Sequence, residues 1–248
     1  MKKNYIRLDD LLVKKGMAHS KSFAQSLIMS GKIMIKDKIS DKPGRSFLLD
    51  TEIGLKKPDF PWVSRGGVKL DHALNVFNIS VKGQIALDLG VSTGGFTNVL
   101  LERGIKKVFA VDVGYGQLDL GLRNNPKIVL LERTNARYLS KAQISEKINL
   151  IVCDVSFISL KKILVAPMAL TSNKAQLVAL IKPQFEAGKK EVNKGGIVKN
   201  ALIRQKCCSD IHDWIENFMK WKVINLVESP IRGAKGNIEF LIYAKKNK

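Results

Sequence analysis

The stretch Asp88-Leu89-Gly90-Val91-Ser92-Thr93-Gly94-Gly95-Phe96-Thr97 decides the reading of this chain, because it follows the apolar run Ile85-Ala86-Leu87 and precedes a helical pattern. A strand, a Gly-rich turn and a helix N-terminus in that order form a seat for a nucleotide-like cofactor. A dinucleotide fingerprint reads Gly-x-Gly-x-x-Gly, and residues 90–95 keep only part of that spacing, which disfavours NAD. The next strand closes Ala110-Val111-Asp112, where a carboxylate can accept both hydroxyls of a ribose. Asp154 closes a third strand. Three carboxylates at one sheet edge repel one another unless a ligand or basic partners sit among them.

Working outward, strands at 85–89, 107–112, 128–131, 149–153, 176–181, 222–227 and 239–244 alternate with helical patterns, as in a doubly wound, mostly parallel α/β domain. A helix opening at Lys69 precedes them, and the turn at 230–237 predicts a terminal antiparallel hairpin. Towards the N-terminus, Ile6, Leu8, Leu11 and Leu12 stand at helical spacing over 6–14. Gly16 stops that helix, and Ser20 caps a second one carrying Phe23, Ala24, Leu27 and Ile28. Strands at 33–35 and 46–49 complete a small α+β unit whose basic residues, among them Arg7, Lys14, Lys21, Lys32 and Lys36, are expected to face outward. Residues 55–63 carry two prolines, which forbid a helix. We therefore expect a first domain over 1–59, a linker over 60–63 and the α/β domain over 64–248, with Trp62 of the linker packed on the α/β domain beside Arg65.

A chain of 248 residues, 45% hydrophobic, can build one real core and a second small one. Its net charge of +20 points to a polyanionic partner, since Lys and Arg that neutralise phosphates release condensed counterions. A solvated basic surface or a Lys-rich proteome gives the same count. No apolar run approaches the roughly 20 residues that span a bilayer, and no signal-peptide segment follows Met1, so no membrane association and a cytoplasmic location are expected. Cys153, Cys207 and Cys208 are too few for a disulfide framework, and adjacent Cys207-Cys208 lacks the spacer of a zinc knuckle. Reduced thiols and no metal are expected, with a monomer as the default.

Two resemblances sharpen this reading. The N-terminal segment resembles the S4 RNA-binding domain through Arg7-Leu8-Asp9, Ala18-His19-Ser20-Lys21 and Ala24-x-x-Leu27-Ile28-x-x-Gly31-x-Ile33. An Asp two residues ahead of Gly-x-x-x-Gly-Gly resembles the pattern of S-adenosylmethionine (SAM)-dependent methyltransferases. The resemblance implies that Gly90, Gly94 and Gly95 let the backbone approach the methionine part of the cofactor. It also implies that Asp88 engages the ammonium directly or through water, that Asp112 holds the ribose, and that Asn135 and Ala136 flank the adenine. Ser92, Thr93, Phe96 and Asp154 complete that set.

Taken singly, Lys69 reads as a surface lysine, Asp154 as a helix cap and Glu239 as an edge-strand charge. Together, Lys69, Asp154, Lys182 and Glu239 resemble the catalytic tetrad of the 2′-O-ribose methyltransferases related to FtsJ. Within that group the chain resembles the TlyA family, once called haemolysin A. The matching stretches include Ser64-Arg65-Gly66-Gly67-Val68-Lys69-Leu70, Asp154-Val155-Ser156-Phe157-Ile158-Ser159, Ile181-Lys182-Pro183-Gln184-Phe185-Glu186 and Gly236-Asn237-Ile238-Glu239-Phe240. The resemblance implies a cytidine ribose of ribosomal RNA as acceptor, on the ribosome or its subunits. Members differ in modifying 23S rRNA alone or 16S rRNA as well, and the brevity of this chain favours the large subunit. A ribose hydroxyl must be held in line with the methyl group and lose a proton. We expect Lys182 as the base with Lys69 as its charged neighbour, and Asp154 and Glu239 orienting both lysines. Arg65 is expected to meet RNA with the S4-like face. The rival readings are a non-catalytic RNA-binding or assembly factor and a membrane-lytic protein; dispersed basic residues argue against the latter.

Overall fold

We analysed a computed structural model of the chain, which describes residues 5–56 and 60–246; Pro58, one of the two prolines of the expected connection, lies outside the described residues. The N-terminal unit runs β1 (Tyr5–Arg7), α1 (Leu8–Lys14), α2 (Lys21–Met29), β2 (Ile33–Ile35), β3 (Lys38–Ile39), β4 (Ser46–Leu48) and β5 (Gly54–Leu55). Leu8, Leu12, Phe23, Ala24, Ile28 and Ile33 close a small core between the two helices and the strands. Ser20 caps α2 as expected, its hydroxyl accepting from Phe23 N at 3.1 Å. Two boundaries differ from the sequence expectation. Ile6 belongs to β1, which pairs antiparallel with β4, so the first helix starts only at Leu8. Leu55, at the start of the proline-bearing stretch where no strand was expected, pairs with Ile33 as the edge strand β5.

The larger unit follows as α3 (Arg65–Val76), β6 (Ile85–Leu89), α4 (Gly95–Glu102), β7 (Lys107–Val111), α5 (Leu120–Arg123), β8 (Ile128–Leu131) and β9 (Ile148–Cys153). It continues through α6 (Leu160–Ile163), α7 (Val165–Ala169), β10 (Thr171–Ile181), α8 (Pro183–Glu186), α9 (Ala201–Asp213), β11 (Trp221–Glu228) and β12 (Phe240–Lys246). Seven strands form one sheet in the order β11-β12-β10-β9-β6-β7-β8. The five from β10 to β8 run parallel, and β12 pairs antiparallel with both β10 and β11, giving the Rossmann-like sheet and terminal hairpin read from the sequence. Two apolar layers cover its faces, one built on Leu87, Ile151 and Ile181, the other on Ala86, Val152 and Leu180, as period-two alternation in a doubly covered strand requires.

This topology puts chemistry at one edge. Asp112, Asp154 and Lys182 are each the first residue after a parallel strand, and the chain order reverses between β6 and β9, where ligands of such sheets bind. Lys69 does not open its helix. Ser64 is extended and the helix starts at Arg65, because Gly66 and Gly67 are accommodated inside its first turn. A Cβ at Gly67 would lie 2.4 Å from Trp62 Cβ, so the missing side chain is where the Trp62 indole crosses α3. Trp62 and Val63 pack on the α/β core, as expected for Trp62. Glu239 stands one residue before β12, not within it, though its carbonyl still accepts from Ser229 N at 2.8 Å. All three cysteines are free and buried, and burial pushes the Cys207 thiol up to about 11. No helix among the described residues is long and apolar enough to cross a membrane.

Candidate active site

The turn after β6 is built by residues in left-handed conformation, Gly90 at φ +81°, Ser92 at +48° and Gly94 at +96°. A Cβ at Gly90 would sit 2.8 Å from the Asp154 carbonyl oxygen, so only glycine lets this turn press on the end of β9. Gly95 answers to a different neighbour: its Cβ would fall 2.3 Å from Ser64 Oγ and 2.8 Å from Gly67 N. That glycine is also tightly packed, as is Gly94, with Leu118 and Leu122 against it. Asp112 is pinned by two backbone donors, Ser92 N at 2.8 Å and Gly114 N at 2.7 Å, one on each carboxylate oxygen. With Thr134, Asn135 and Ala136 it walls a cavity of about 500 Å³ that ends at Asp154.

Of the two routes expected for Asp88, direct or through water, its position leaves the one through water. Asp88 is fully buried behind the turn, outside the walls of this cavity, with Thr97 Oγ1 donating to Oδ2 at 2.6 Å and Oδ1 without a partner. Burial pushes its carboxyl up to about 7; Thr97 opposes the shift, and the charges of Asp154 and Asp112 add to it.

The four residues of the tetrad pattern converge in one buried chain of charges. Lys69 Nζ lies 2.7 Å from Glu239 Oε2 and 3.9 Å from Asp154 Oδ2; Lys182 Nζ lies 2.6 Å from Asp154 Oδ1. Lys69 and Lys182 are each 8% exposed and Glu239 is 2% exposed, so these pairs are shielded from water and salt. Burial by itself would raise the Asp154 carboxyl, but Lys182 and Lys69 outweigh it and hold it below its ordinary value. Two cations and two anions balance, which is how four charges persist at a protein interior.

The sequence reading missed the residues that hold this chain in place. Ser156 Oγ accepts from Lys182 Nζ at 2.9 Å, and Gln184 Nε2 donates to Glu239 Oε1 at 3.1 Å. Each stands two residues past a strand-end charge, and that nearness in sequence was the available signal. A Cβ at Gly233 would lie 2.0 Å from Glu239 Oε1, so the loop ahead of β12 closes directly on that carboxylate. Phe157 is 90% exposed at φ +65°, its ring centroid 5.0 Å from that of Phe185. A bulky residue in that conformation and that exposed has no packing reason to be there.

A second cavity, of about 640 Å³, opens on the same centre and is shared between the two units. Gly90, Ser92, Asp154 and Ser156 belong to both cavities. Thr93, Gly95, Phe96 and Lys182 line the second one, as do Leu27 and Lys32 from the N-terminal unit. The units are joined by Ser20 Oγ, which donates to Gly116 O at 2.7 Å, by Ser22 Oγ, which donates to Tyr115 O at 3.1 Å, and by Lys32, whose ammonium donates to the Val63 carbonyl. Lys32 therefore turns inward and is half-buried, while Arg7, Lys14, Lys21 and Lys36 are exposed. Arg7 is forked onto buried Asp9 at 3.0 and 2.8 Å, which holds that carboxyl at about 2, and Lys21 meets Asp10 at 2.8 Å. Arg65 stands exposed on the cavity rim, donating to Arg232 O at 2.9 Å.

The family model described as FtsJ-like methyltransferase matches residues 62–246, and the S4 domain model matches residues 6–50. The chain is 41% identical over 240 residues to the 16S/23S rRNA (cytidine-2′-O)-methyltransferase TlyA of Mycobacterium tuberculosis, covering 96% of this chain and 89% of that protein. It is 40% identical to hemolysin A of Brachyspira hyodysenteriae, over 96% and 99% of the two chains. The solved structure of a hemolysin-named protein from Streptococcus thermophilus superposes with a TM-score of 0.77 at 39% identity, covering 99% of this chain and 90% of that one.

Proposed function

We propose, given that this chain belongs to the FtsJ-like methyltransferase family, that it methylates the 2′-hydroxyl of a cytidine ribose in 23S ribosomal RNA, with SAM as donor. The observation that carries the proposal is the position of Asp154. It lies on the walls of both cavities and pairs with both buried lysines, so the reacting groups meet where the two cavities join.

The residues present fit the cofactor. Each oxygen of Asp112 accepts one backbone N–H, and the acceptor capacity left over faces the smaller cavity for a ribose. Asn135 and Ala136 stand on the same walls for the adenine. The unpartnered Oδ1 of Asp88 suits an ammonium reached through water, one layer behind the turn. Bound SAM supplies an electrophilic methyl group on a cationic sulfur. Lys182 Nζ, once its ammonium has released a proton to solvent, takes the proton of the acceptor hydroxyl as the neutral amine; Asp154 and Ser156 fix the ammonium that re-forms, and Lys69, held by Glu239, is the neighbouring positive charge. Phe157 and Phe185 offer the target base a stacking surface at the rim.

Arg7, Lys14, Lys21 and Lys36 on the S4 domain, with Arg65, form the RNA-docking set, and ribosomal RNA as substrate places the protein in the cytoplasm as a partner of the ribosomal subunit. The test is transfer of labelled methyl from SAM to large subunits or rRNA lacking the mark, with the site mapped by reverse-transcription stops at low nucleotide concentration. Label confined to protein, to a base or to no RNA at all would refute the proposal.

A further inference from the structure

The cavity shared by the two units has a roof from the S4 domain: Ser26, Leu27 and Ser30 at the end of α2, then Gly31 and Lys32. Its floor is the turn Gly90–Thr93 with Asp154 and Lys182. Lys32 does not behave as a docking lysine. It is half-buried, spends one N–H on the Val63 carbonyl and keeps two more. Burial lowers its pKa and the charge of Asp119 across the cavity partly restores it, the balance expected of a cation awaiting an anion.

The cofactor reading above fixes which anion that is. Because the two cavities join at Gly90, Ser92, Asp154 and Ser156, a ligand with its nucleoside beside Asp112 must extend its amino-acid tail into the shared cavity. On that side Lys182 is engaged by Asp154 and Ser156, and Arg65 and Lys56 are exposed to solvent, whereas Lys32 is half-buried within the cavity. The carboxylate of the tail therefore meets the roof.

We propose that Lys32 of the S4 domain recognises the α-carboxylate of the cofactor, so that the SAM site is built from both domains. The inference rests on the cofactor reading above, and it makes the RNA-binding domain a determinant of cofactor affinity in the absence of RNA.

The experiment is equilibrium binding to the full-length, RNA-free protein by titration calorimetry, using SAM and its decarboxylated analogue, which lacks only the carboxylate. Wild type is expected to prefer SAM by about tenfold or more, the scale of a charge-assisted hydrogen bond. Lys32→Gln keeps a donor for the Val63 carbonyl while removing the charge. It should weaken SAM by about that factor, leave the analogue unchanged and so erase the preference, and Lys32→Arg should restore part of it. Lys56→Gln, on the same cavity, should keep the preference. The inference falls if Lys32→Gln weakens both ligands equally, if Lys56→Gln erases the preference, or if Lys32→Gln changes rRNA affinity alone, which would assign the lysine to a phosphate. A wild-type protein that binds neither ligand overturns the cofactor reading and this inference with it.

Discussion

Lys182→Arg separates positive charge from proton acceptance at the proposed base. Lys182 Nζ sits 2.6 Å from Asp154 Oδ1 and 2.9 Å from Ser156 Oγ, at 8% exposure, so the substitution changes a buried and fully engaged group. A guanidinium stays protonated at any workable pH, and its planar fork suits the Asp154 carboxylate. The variant is therefore expected to fold, bind SAM and bind rRNA. Removing a general base costs roughly 10²- to 10⁴-fold, or about 3–5 kcal/mol of barrier. The larger head group beside Ser156 adds a misplacement that by itself can cost about 10²-fold for each 1 Å. A drop of at least roughly 10²-fold is expected in single-turnover transfer from labelled SAM, at saturating rRNA and across a pH series. Asp154→Asn, which strips the shared carboxylate from both lysines, should abolish turnover and also cost about 3–5 kcal/mol of stability, as a broken buried pair does. Lys182→Arg with near wild-type rates and an unchanged pH profile would reduce Lys182 to a positioning group and leave the proton without its acceptor.

Other parts of the fold carry their own expected outcomes. Asp88 keeps its proton in the folded state up to about pH 7, whereas unfolded it ionises near the ordinary value of 3.8. It thus binds more protons when folded, and stability falls as pH rises between those values, by an amount on the order of 4 kcal/mol. Asp88→Asn should therefore be more stable than wild type at pH 8 by denaturant titration and about equal to it near pH 4; an advantage that does not grow with pH would refute the assignment. Gly67→Ala forces its Cβ to within 2.4 Å of Trp62 and should lower the melting temperature, with a loss of about 1–3 kcal/mol. Trp62→Ala, which withdraws the indole from the turn bearing Arg65, should lower SAM affinity, and identical calorimetric affinities would show the linker to be a spacer. Removing the exposed charges Lys14 and Lys36 should flatten the salt dependence of rRNA binding, its logarithmic slope falling by about one for each phosphate left without a cation. Removing Arg7 should do less, because its guanidinium is already forked onto Asp9.

The parallel sheet was legible because β6, β7 and β9 are buried on both faces and each carries a carboxylate at its C-terminal end, Asp88, Asp112 and Asp154, a pattern in the chain itself. The start of α3 was not. The helix was expected to open at Lys69, and only the Trp62 ring crossing above Gly66 and Gly67 shows why it starts earlier and accepts both. Lys69, Asp154, Lys182 and Glu239 were legible as a set by resemblance, yet their order in space, with Asp154 shared between the lysines, depends on contacts between residues up to 170 positions apart. The inward turn of Lys32 was invisible for the same reason: its sequence neighbours look like any basic hairpin, and the wall that buries it belongs to the other domain.

The position of β12 bears on when the molecule becomes an enzyme. It threads between β10 and β11, so β11, though made earlier, finds no neighbour until β12 arrives. A nascent or truncated chain lacking residues beyond 238 would expose Gln176–Ile181 of β10 as an open edge, the kind of surface on which chains join one another. The same late insertion carries Glu239 to Lys69 and supplies the second anion of a four-charge centre. Until then Asp154 alone faces two buried ammonium groups, so the closing of the sheet and the neutralisation of the site are one event in folding. Competence for chemistry thus reports that the last strand has been inserted.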